Sequence, residues 1–264
     1  MRVRLDAELV RRGLAKSRAH ADELINSHQV LVNGIVASKA STQVDSQTSL
    51  KIQGEVDPYV SRGAHKLIGA FDFFGTDNFK IHNSVCLDAG ASTGGFTDVL
   101  LRRGATEVVA VDVGYGQLAW ELRQDSRVKV LDRTNIRHLT GEQVGAPVDL
   151  IVADLSFISL TLVLPALAAV SKPEADYLLM VKPQFEVGRD QLGAGGVVRD
   201  PALRKSAVLE VAESAFDVGL GTLGVVASVL PGPAGNVEYF LWLRRGAGEI
   251  NEAELDKAIA IGPQ

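Results

Sequence analysis

Hydrophobic residues in the first fifty positions follow two short helical patterns and then several extended ones. The apolar positions at helical spacing are Leu5, Leu9 and Val10 in the first stretch and Ala21, Leu24 and Ile25 in the second. Gly13 is a stop signal for the first helix, and Ser17 is a good N-cap for the second. The apolar run 30–36 is interrupted by an Asn-Gly pair and predicts a β-hairpin, and 49–52 predicts a further short strand. The pattern therefore predicts a small α+β module.

From residue 61 onward the pattern changes to an alternation of strands and helices. Strands are predicted at 85–88, 107–112, 128–132, 149–154, 177–182, 224–229 and 237–244. Helices are predicted at 63–74, 95–103, 117–123, 160–169 and 201–218. Such alternation is typical of an α/β fold, in which a mostly parallel, doubly wound sheet is covered on both faces.

The same change of pattern predicts the domain organisation. Residues 1–53 form the small module, 54–60 form a linker that holds turn formers without periodicity, and 61–246 form the α/β domain. Residues 247–264 are expected to be a C-terminal tail or helix. A length of 264 residues suits one large and one small domain.

Composition and charge narrow the class of protein. The single cysteine, Cys86, excludes an internal disulfide framework and a cysteine-rich metal site, and it favours a reducing, cytoplasmic location. No apolar run reaches the roughly 18–20 residues of a membrane span, and the first residues lack the apolar core of a signal peptide. Residues 1–53 carry a net charge of +3 and the remainder −8. This division either arises by chance or marks the first module as the part that meets a polyanion.

Four consecutive predicted strands end in an aspartate: Asp88, Asp112, Asp132 and Asp154. Carboxylates directly after buried runs are tolerated at the carboxyl edge of a parallel sheet, where ligands bind. The loop after Asp88 has the spacing Asp-x-Gly-x-x-x-Gly, whereas dinucleotide sites have Gly-x-Gly-x-x-Gly. A leading carboxylate suits a ligand with an amino group, and Asp112 is placed to accept both ribose hydroxyls of an adenosine.

This arrangement resembles the cofactor site of the Rossmann-like class I methyltransferases. The resemblance implies S-adenosyl-L-methionine as the cofactor and a seven-stranded, mostly parallel sheet. The residues that it implies for cofactor binding are Asp88, Gly90, Ser92, Thr93, Gly94, Gly95, Phe96, Asp112, Val113, Asp132, Arg133, Thr134, Asn135 and Asp154. The alternative is a Rossmann-like domain that has lost its ligand.

The first module resembles the S4 RNA-binding domain. The matching residues include Arg4-Leu5-Asp6, Gly13-Leu14, Ser17-Arg18, Leu24-Ile25 and Val32-Asn33-Gly34. The resemblance implies binding to structured RNA through the two helices. The basic residues expected to contact RNA are Arg4, Arg11, Arg12, Lys16 and Arg18, together with Arg62 of the second domain. The alternative for these residues is an ordinary solvated helix face.

Two chemistries of base methylation are excluded by the residues present. Carbon-5 pyrimidine methylation needs a cysteine nucleophile, but Cys86 lies inside the first strand of the larger domain. Exocyclic-amine methylases usually carry Asn/Asp-Pro-Pro-Tyr/Phe after the fourth strand, where this chain has Asp154-Leu155-Ser156-Phe157. Lys182 ends the fifth strand and Glu238 begins the last one, which places both near Asp154 if the last strand is antiparallel. Lys66 lies on the first helix, off its apolar stripe.

Lys66, Asp154, Lys182 and Glu238 resemble the Lys-Asp-Lys-Glu catalytic tetrad of the FtsJ-like ribose 2′-O-methyltransferases. With the S4 module and the strings Ser61-Arg62-Gly63-Ala64-His65-Lys66-Leu67 and Gly235-Asn236-Val237-Glu238-Tyr239-Phe240, the chain resembles the TlyA, or haemolysin-A-like, family. That resemblance implies 2′-O-methylation of cytidine in 16S and, in some members, 23S ribosomal RNA. Lys182 is expected either to take the hydroxyl proton as a neutral base or to position the hydroxyl by its charge.

The resemblance also implies partners and alternatives. Ribosomal RNA or ribosomal subunits are the expected partner, with no metal and no membrane contact, and a monomer is favoured. One alternative is a membrane-active haemolysin, which the family's older name suggests, although the sequence offers no amphipathic cationic helix for it. Another is an RNA-binding protein with an inactive methylase fold.

Overall fold

A computed structural model describes residues 2–53 and 57–262 of the chain. The chain divides into two compact units, Met1–Ser61 and Arg62–Gln264. Part of the predicted linker, residues 54–56, and the last two residues of the predicted tail lie outside the described residues.

The N-terminal unit consists of two helices and short antiparallel strands. Its strands are β1 (Val3–Arg4), β2 (Val30–Val32), β3 (Ile35–Val36), β4 (Gln43–Val44) and β5 (Leu50–Ile52), and its helices are α1 (Leu5–Arg11) and α2 (Arg18–Asn26). Ser17 Oγ accepts a hydrogen bond from the amide of His20 and caps α2, as predicted. Asn33 and Gly34 both have positive φ, which is the turn type that joins β2 and β3 with matching twist. The pairing of β1 with β4 was not predicted, because two-residue strands carry no periodicity.

The C-terminal unit is an α/β domain around one sheet. Its strands are β6 (Val85–Ala89), β7 (Glu107–Val111), β8 (Val128–Leu131), β9 (Val148–Ala153), β10 (Ser171–Val181), β11 (Leu220–Ala227) and β12 (Tyr239–Arg245). Its α-helices are α3 (Gly63–Phe74), α4 (Gly95–Arg102), α5 (Trp120–Arg123), α6 (Gly141–Val144), α7 (Leu164–Ala169), α8 (Pro183–Glu186), α9 (Pro201–Asp217) and α10 (Glu252–Ile261). Short 3-10 turns lie at Thr76–Asn78, Ile136–His138, Leu160–Leu162, Arg189–Gln191 and Ala194–Gly196.

The sheet order is β11-β12-β10-β9-β6-β7-β8. The strands from β6 to β10 pair in parallel, whereas β12 runs antiparallel to both of its neighbours. The predicted α/β fold with a seven-stranded, mostly parallel sheet is therefore confirmed within the described residues. No helix among those residues is long and apolar enough to span a membrane.

Some element boundaries differ from the predicted ones for local reasons. The predicted helix 160–169 is divided into a 3-10 turn and α7, whose first turn contains Pro165 and tolerates its missing N–H. The predicted helix 117–123 is reduced to α5. Strand β10 begins at Ser171, six residues earlier than predicted, because its first half is polar and partly exposed and so lacks the apolar signal of a buried strand.

The C-terminal segment, expected to be a tail or a helix, contains the helix α10, which packs into the larger unit's core. Leu255 and Ile259, four residues apart on one helix face, are buried in the main hydrophobic cluster. Asn251 caps the helix by accepting hydrogen bonds from two amides of its first turn. Three buried apolar residues, Leu255, Ala258 and Ile259, gave too weak a pattern in the sequence to assign this helix to the domain.

The antiparallel direction of β12 is what assembles the candidate site. Parallel strands bring Asp88, Asp112 and Asp154 to one edge of the sheet. Val181 of β10 pairs with Tyr239 of β12. Lys182 follows the first of these residues and Glu238 precedes the second, so the two lie side by side at the same edge.

Candidate active site

The loop after β6 is built around one buried carboxyl group, Asp88. Its side chain is fully buried, and Oδ2 accepts a hydrogen bond from Thr97 Oγ1 at 2.6 Å. Oδ1 has no hydrogen-bond partner among the residues that the structure describes. Burial raises the pKa of Asp88 to about 7; the bond from Thr97 opposes this rise and the charge of Asp154 adds to it. The carboxyl group would therefore be stabilised by a nearby cation.

Gly90 brings the loop close to the segment that follows β9. It has a φ of +86°, and a Cβ atom at this position would lie 2.7 Å from the carbonyl oxygen of Asp154. Only glycine permits both this conformation and this approach. The two loops at the carboxyl edge thus form one continuous wall.

That wall encloses a cavity of about 470 Å³. The lining residues are Gly90, Ser92, Val111, Asp112, Val113, Gln117, Thr134, Asn135, Ile136, Asp154, Leu155, Ser156, Phe157 and Ile158. The predicted cofactor residues that line it are Gly90, Ser92, Asp112, Val113, Thr134, Asn135 and Asp154. Aliphatic side chains and a few polar groups share the lining, as is typical of a small-molecule site.

Asp112 and Asp132 follow adjacent strands but have different surroundings. Asp112 lines the cavity, and its carboxylate accepts hydrogen bonds from the amides of Ser92 at 2.8 Å and Gly114 at 2.7 Å. Asp132 does not line it; its Oδ2 pairs with Arg123 at 2.8 Å. The guanidinium of Arg133 lies over the ring of Tyr115, 4.3 Å from its centroid. Residues 132 and 133 therefore shape the outside of the pocket wall.

Four further residues of the glycine loop were expected to bind the cofactor and lie outside the cavity lining: Thr93, Gly94, Gly95 and Phe96. Gly94 has a φ of +99°, and the side chain of Leu122 occupies the space of its absent Cβ. Phe96 is buried and stacks against Phe240. These residues fix the loop and the first turn of α4 rather than the cavity surface.

The residues present fit S-adenosylmethionine. The cavity combines an exposed loop backbone at Ser92, a carboxylate at Asp112 and polar groups at Thr134 and Asn135. Beneath the loop, the unpaired oxygen of Asp88 suits a positively charged ligand. A sulfonium cofactor with an amino group and an adenosine matches these features, whereas a diphosphate would meet carboxylates.

Lys182 lies outside the cavity lining, next to the lining residue Asp154. Lys182 Nζ is 2.6 Å from Asp154 Oδ1, outside hydrogen-bond geometry, and it donates a hydrogen bond to Ser156 Oγ at 3.0 Å. The Lys182 side chain is only 10% exposed, whereas Asp154 and Ser156 line the cavity. The amino group thus sits directly behind two cavity residues.

Lys66 and Glu238 form a second, more deeply buried pair. Lys66 Nζ donates to Glu238 Oε2 at 2.5 Å, and the two side chains are 7% and 1% exposed. The space beside Glu238 is kept by Gly232, where a Cβ atom would lie 2.6 Å from Glu238 Oε1. The four residues expected to form a tetrad are thus arranged as two lysine–acid pairs at one sheet edge.

Comparison with known proteins decides the family. The FtsJ-like methyltransferase model matches residues 59–245, and the S4 domain model matches residues 3–49. The chain is 55% identical, over 99% of both chains, to the 16S/23S rRNA (cytidine-2′-O)-methyltransferase TlyA of Mycobacterium tuberculosis. The chain belongs to the TlyA family of FtsJ-like methyltransferases.

Other relatives of the TlyA family support this membership. The chain is 40% identical to YqxC of Bacillus subtilis, provisionally named an rRNA methyltransferase, over 97% of this chain and 92% of that one. A solved structure from Streptococcus thermophilus, provisionally named a hemolysin, is similar with a TM-score of 0.78 and 36% identity. That likeness covers 98% of this chain and 94% of the other.

In the S4 domain of this TlyA-family chain, acids pair with three of the arginines expected to contact RNA. Arg4 Nε donates to Asp6 at 3.0 Å. Arg11 and Arg12 both donate to the buried Glu8, at distances down to 2.6 Å. Hydrogen bonds from Arg11 and then Arg12 lower the pKa of Glu8 to about 2. Much of the charge counted in the sequence is therefore balanced within the domain.

The expected RNA-contact residues differ in how they are held. Arg12 also donates to the carbonyls of Thr48 and Asp45, so it ties α1 to the β4–β5 turn. Lys16 donates to the carbonyl of Tyr59 at 3.4 Å. Arg18 is exposed at the start of α2. In the larger unit, Arg62 is exposed just before α3.

Sequence reasoning missed the residues directly after Asp154 as part of the site. Ser156 and Phe157 line the cavity, and Phe157 is 90% exposed with a φ of +64°. Their position immediately after a strand-ending acid was a usable signal, but a positive φ at phenylalanine cannot be read from a sequence. No cluster of three metal-ligating side chains occurs in the described residues.

Proposed function

We propose that this protein methylates the 2′-hydroxyl of cytidine in ribosomal RNA with S-adenosylmethionine as the methyl donor. The observation that carries the proposal is the amino group of Lys182 held against Asp154 and Ser156, two residues that line the cavity. Membership of the TlyA family supplies the reaction, because its M. tuberculosis relative is a 16S/23S rRNA (cytidine-2′-O)-methyltransferase.

The cofactor is assigned to the part of the cavity formed by Gly90, Ser92, Asp112, Thr134 and Asn135. S-adenosylmethionine supplies an electrophilic methyl group on a positively charged sulfur. The carboxylate of Asp112 is assigned to the ribose hydroxyls of its adenosine. The negative charge at the carboxyl edge of the sheet favours a cationic ligand there.

Lys182 is assigned to the hydroxyl that accepts the methyl group. A ribose hydroxyl is a poor nucleophile until it loses its proton, and the amine of Lys182, which contacts two cavity residues, is assigned to that proton. Asp154 and Ser156 hold the amino group from two sides and limit its freedom. In-line methyl transfer depends strongly on such fixed positions, because a small misplacement of reacting groups slows the reaction greatly.

Lys66 and Glu238 are assigned to the support of this arrangement. Their pair is buried, and Lys66 Nζ also lies 4.0 Å from the sulfur of Met180, two residues before Lys182. A buried ion pair with good geometry resists displacement, since separating the charges inside a protein is costly. The pair therefore ties α3 to the start of β12, beside Met180 of β10.

The S4 domain is assigned to ribosomal RNA, through Arg4, Arg11 and Arg18 on its exposed face. Arginine pairs well with phosphate oxygens even when one edge of its guanidinium is already engaged. Action on ribosomes implies a cytoplasmic location.

Mapping ribose methylation in ribosomal RNA from cells that contain the protein, lack it or carry Lys182→Ala tests the proposal. We expect one or more cytidines to be methylated at the 2′-oxygen only with the unaltered protein. Identical maps from all three kinds of cell would contradict the proposed function.

A further inference from the structure

Glu186 is a partly buried carboxyl group that lies next to the active site but outside the cavity lining. Its Oε2 accepts a hydrogen bond from Ser159 Oγ at 2.5 Å, and its Oε1 accepts one from the amide of Leu160 at 3.0 Å. Burial raises its pKa, against the effect of these two hydrogen bonds. A carboxyl group held in an unfavourable environment by two specific contacts calls for a structural or functional reason.

The two contacts join the chain segments that carry the reactive groups. Residues 154–160 follow β9 and hold Asp154, and residues 182–186 follow β10 and hold Lys182. The sheet pairing between these strands ends at Ala153 and Leu179. Beyond that point, the contacts described between the segments are made by side chains.

Those side-chain contacts form a short ladder. Lys182 meets Asp154 and Ser156 at one end, and the rings of Phe185 and Phe157 lie 5.1 Å apart in the middle. Glu186 closes the other end on Ser159 and Leu160. Glu186 is the residue of this ladder that bonds both to a side chain and to the backbone of the facing segment.

The segment after β9 is under conformational strain. Phe157 has a φ of +64°, a region that residues with a side chain enter only at an energetic cost. Such a conformation persists when the surrounding contacts hold it. The backbone of Asp154 is tied to the carbonyl of Ala89, so contacts to the facing segment matter most for the residues after it and for the Asp154 side chain.

We propose that Glu186 is a positioning residue, which clamps residues 154–160 onto α8 and thereby keeps Asp154 and Ser156 in contact with Lys182. The inference rests on the proposed function in one respect: the expected effect on turnover requires that Lys182 takes part in methyl transfer. The clamp itself is a property of the chain without RNA or cofactor.

The variants Glu186→Ala and Glu186→Gln separate contact from charge. The glutamine amide retains an oxygen that accepts from Leu160 and an N–H that donates to Ser159 Oγ, whereas alanine loses both bonds. Glu210→Ala is the matched control, because it removes an exposed α9 carboxylate whose charge acts on Glu186 and leaves both clamp bonds in place.

Single-turnover methylation of ribosomal subunits by the full-length protein gives the first measurement. We expect Glu186→Ala to lower the rate of methyl transfer by about 10- to 100-fold, with the concentration that gives the half-maximal rate changed by less than about threefold. Glu186→Gln and Glu210→Ala should stay within about threefold of the unaltered rate. Ser159→Ala combined with Glu186→Ala should be no slower than Glu186→Ala alone, since both remove the same contact.

The second measurement is hydrogen exchange of the Leu160 amide in the protein without RNA or cofactor. We expect exchange to be at least about tenfold faster in Glu186→Ala and nearly unchanged in Glu186→Gln. If Glu186→Ala does not fold, Ser159→Ala provides the same two readouts with one bond removed.

The outcomes separate the clamp from the proposed function. An unaltered rate and unaltered exchange in Glu186→Ala would overturn the clamp, and so would a glutamine variant as slow as the alanine variant. The unaltered protein could fail to methylate ribosomal RNA while Leu160 exchange still differs between the Glu186 variants as expected. In that case the proposed function fails and the clamp stands.

Discussion

In the S4 domain, Glu8 is buried while its partner Arg11 is 63% exposed, whereas in the methyltransferase domain Lys66 and Glu238 are buried together. The first arrangement leaves the cation in water, where salt and solvent weaken the attraction. The second withdraws both charges from water, so its geometry must compensate for the lost hydration. An acid–base pair therefore positions an exposed side chain in the S4 domain and holds buried elements together in the methyltransferase domain.

This contrast changes how the basic residues of each unit are interpreted. Arg11 can turn the free edge of its guanidinium to an RNA phosphate while it keeps its bonds to Glu8, because solvent already reaches its side chain. Lys182, by contrast, is held by Asp154 and Ser156 with little access to water. Charge counted along the sequence does not distinguish these cases, since burial decides them.

The largest expected effect separates turnover from binding. Lys182→Ala should lower methyl transfer by about a thousandfold or more, because the contribution of the lysine is exerted mainly in the transition state. Its affinity for S-adenosylmethionine, measured by calorimetric titration, should change by less than about threefold. A variant with near-normal turnover would remove Lys182 from the mechanism.

The buried pair should respond to single and double substitution differently. Glu238→Gln or Lys66→Met alone leaves one buried charge without its partner and should destabilise the domain by about 3–5 kcal/mol. The double variant removes both charges and should lose clearly less. Chemical denaturation of the three variants measures this, and a loss in the double variant equal to the sum of the two single losses would show that the pair is not coupled.

Asp88 should make the stability of the cofactor-free protein depend on pH. Its pKa in the folded chain is about 7, above the ordinary value near 4 for an unfolded aspartate. The folded state therefore binds the proton more tightly, and the stability that the protonated form contributes is lost as the pH rises from about 4 through 7. Asp88→Asn stays neutral and retains an acceptor for Thr97.

Denaturation midpoints at pH 5 and pH 8 test this dependence. Between pH 5 and pH 8 the unaltered protein should lose free energy of unfolding relative to Asp88→Asn, because only its Asp88 becomes charged. The loss should be on the order of 2 kcal/mol. The variant should also bind S-adenosylmethionine more weakly, by about 1–3 kcal/mol, because the negative charge under the loop is lost. A stability difference that is the same at both pH values would contradict the assignment.

The smallest expected effects belong to the S4 domain. Arg11→Ala should leave the denaturation midpoint nearly unchanged, weaken RNA binding a few-fold and lower the salt slope of that binding by about one. Arg12→Ala should lower the midpoint more, because Arg12 also donates to the carbonyls of Thr48 and Asp45. Filter binding at several salt concentrations measures the RNA affinity of Arg11→Ala. A lower denaturation midpoint for Arg11→Ala than for Arg12→Ala would contradict the expected ranking of stability.

The sequence was sufficient wherever a local rule decides the structure. Ser17 as a cap, the Asn33-Gly34 turn and the apolar strands of the sheet follow from residue type and spacing alone. The carboxyl-edge positions of Asp88, Asp112 and Asp154 follow from strands that end in acids.

The rest depends on contacts between distant parts of the chain. Asp132 follows the same strand-end pattern as Asp112, yet Arg123 draws its carboxylate away from the cavity lining. The burial of Lys66 against Glu238 and the positive φ of Phe157 leave no periodic signal. Such features are set by tertiary packing, so only the structure reveals them.

The most direct test of the central claim asks which atom receives the methyl group. Ribosomal RNA should be incubated with the purified protein and S-adenosylmethionine labelled in its methyl group, then hydrolysed in alkali. Alkaline cleavage requires a free 2′-oxygen to attack the adjacent phosphate, so a methyl group there protects that linkage. The account predicts label in an alkali-resistant dinucleotide that starts with cytidine, and label that stays with the sugar when the base is removed. Label recovered on the free base, or only in mononucleotides, would contradict it.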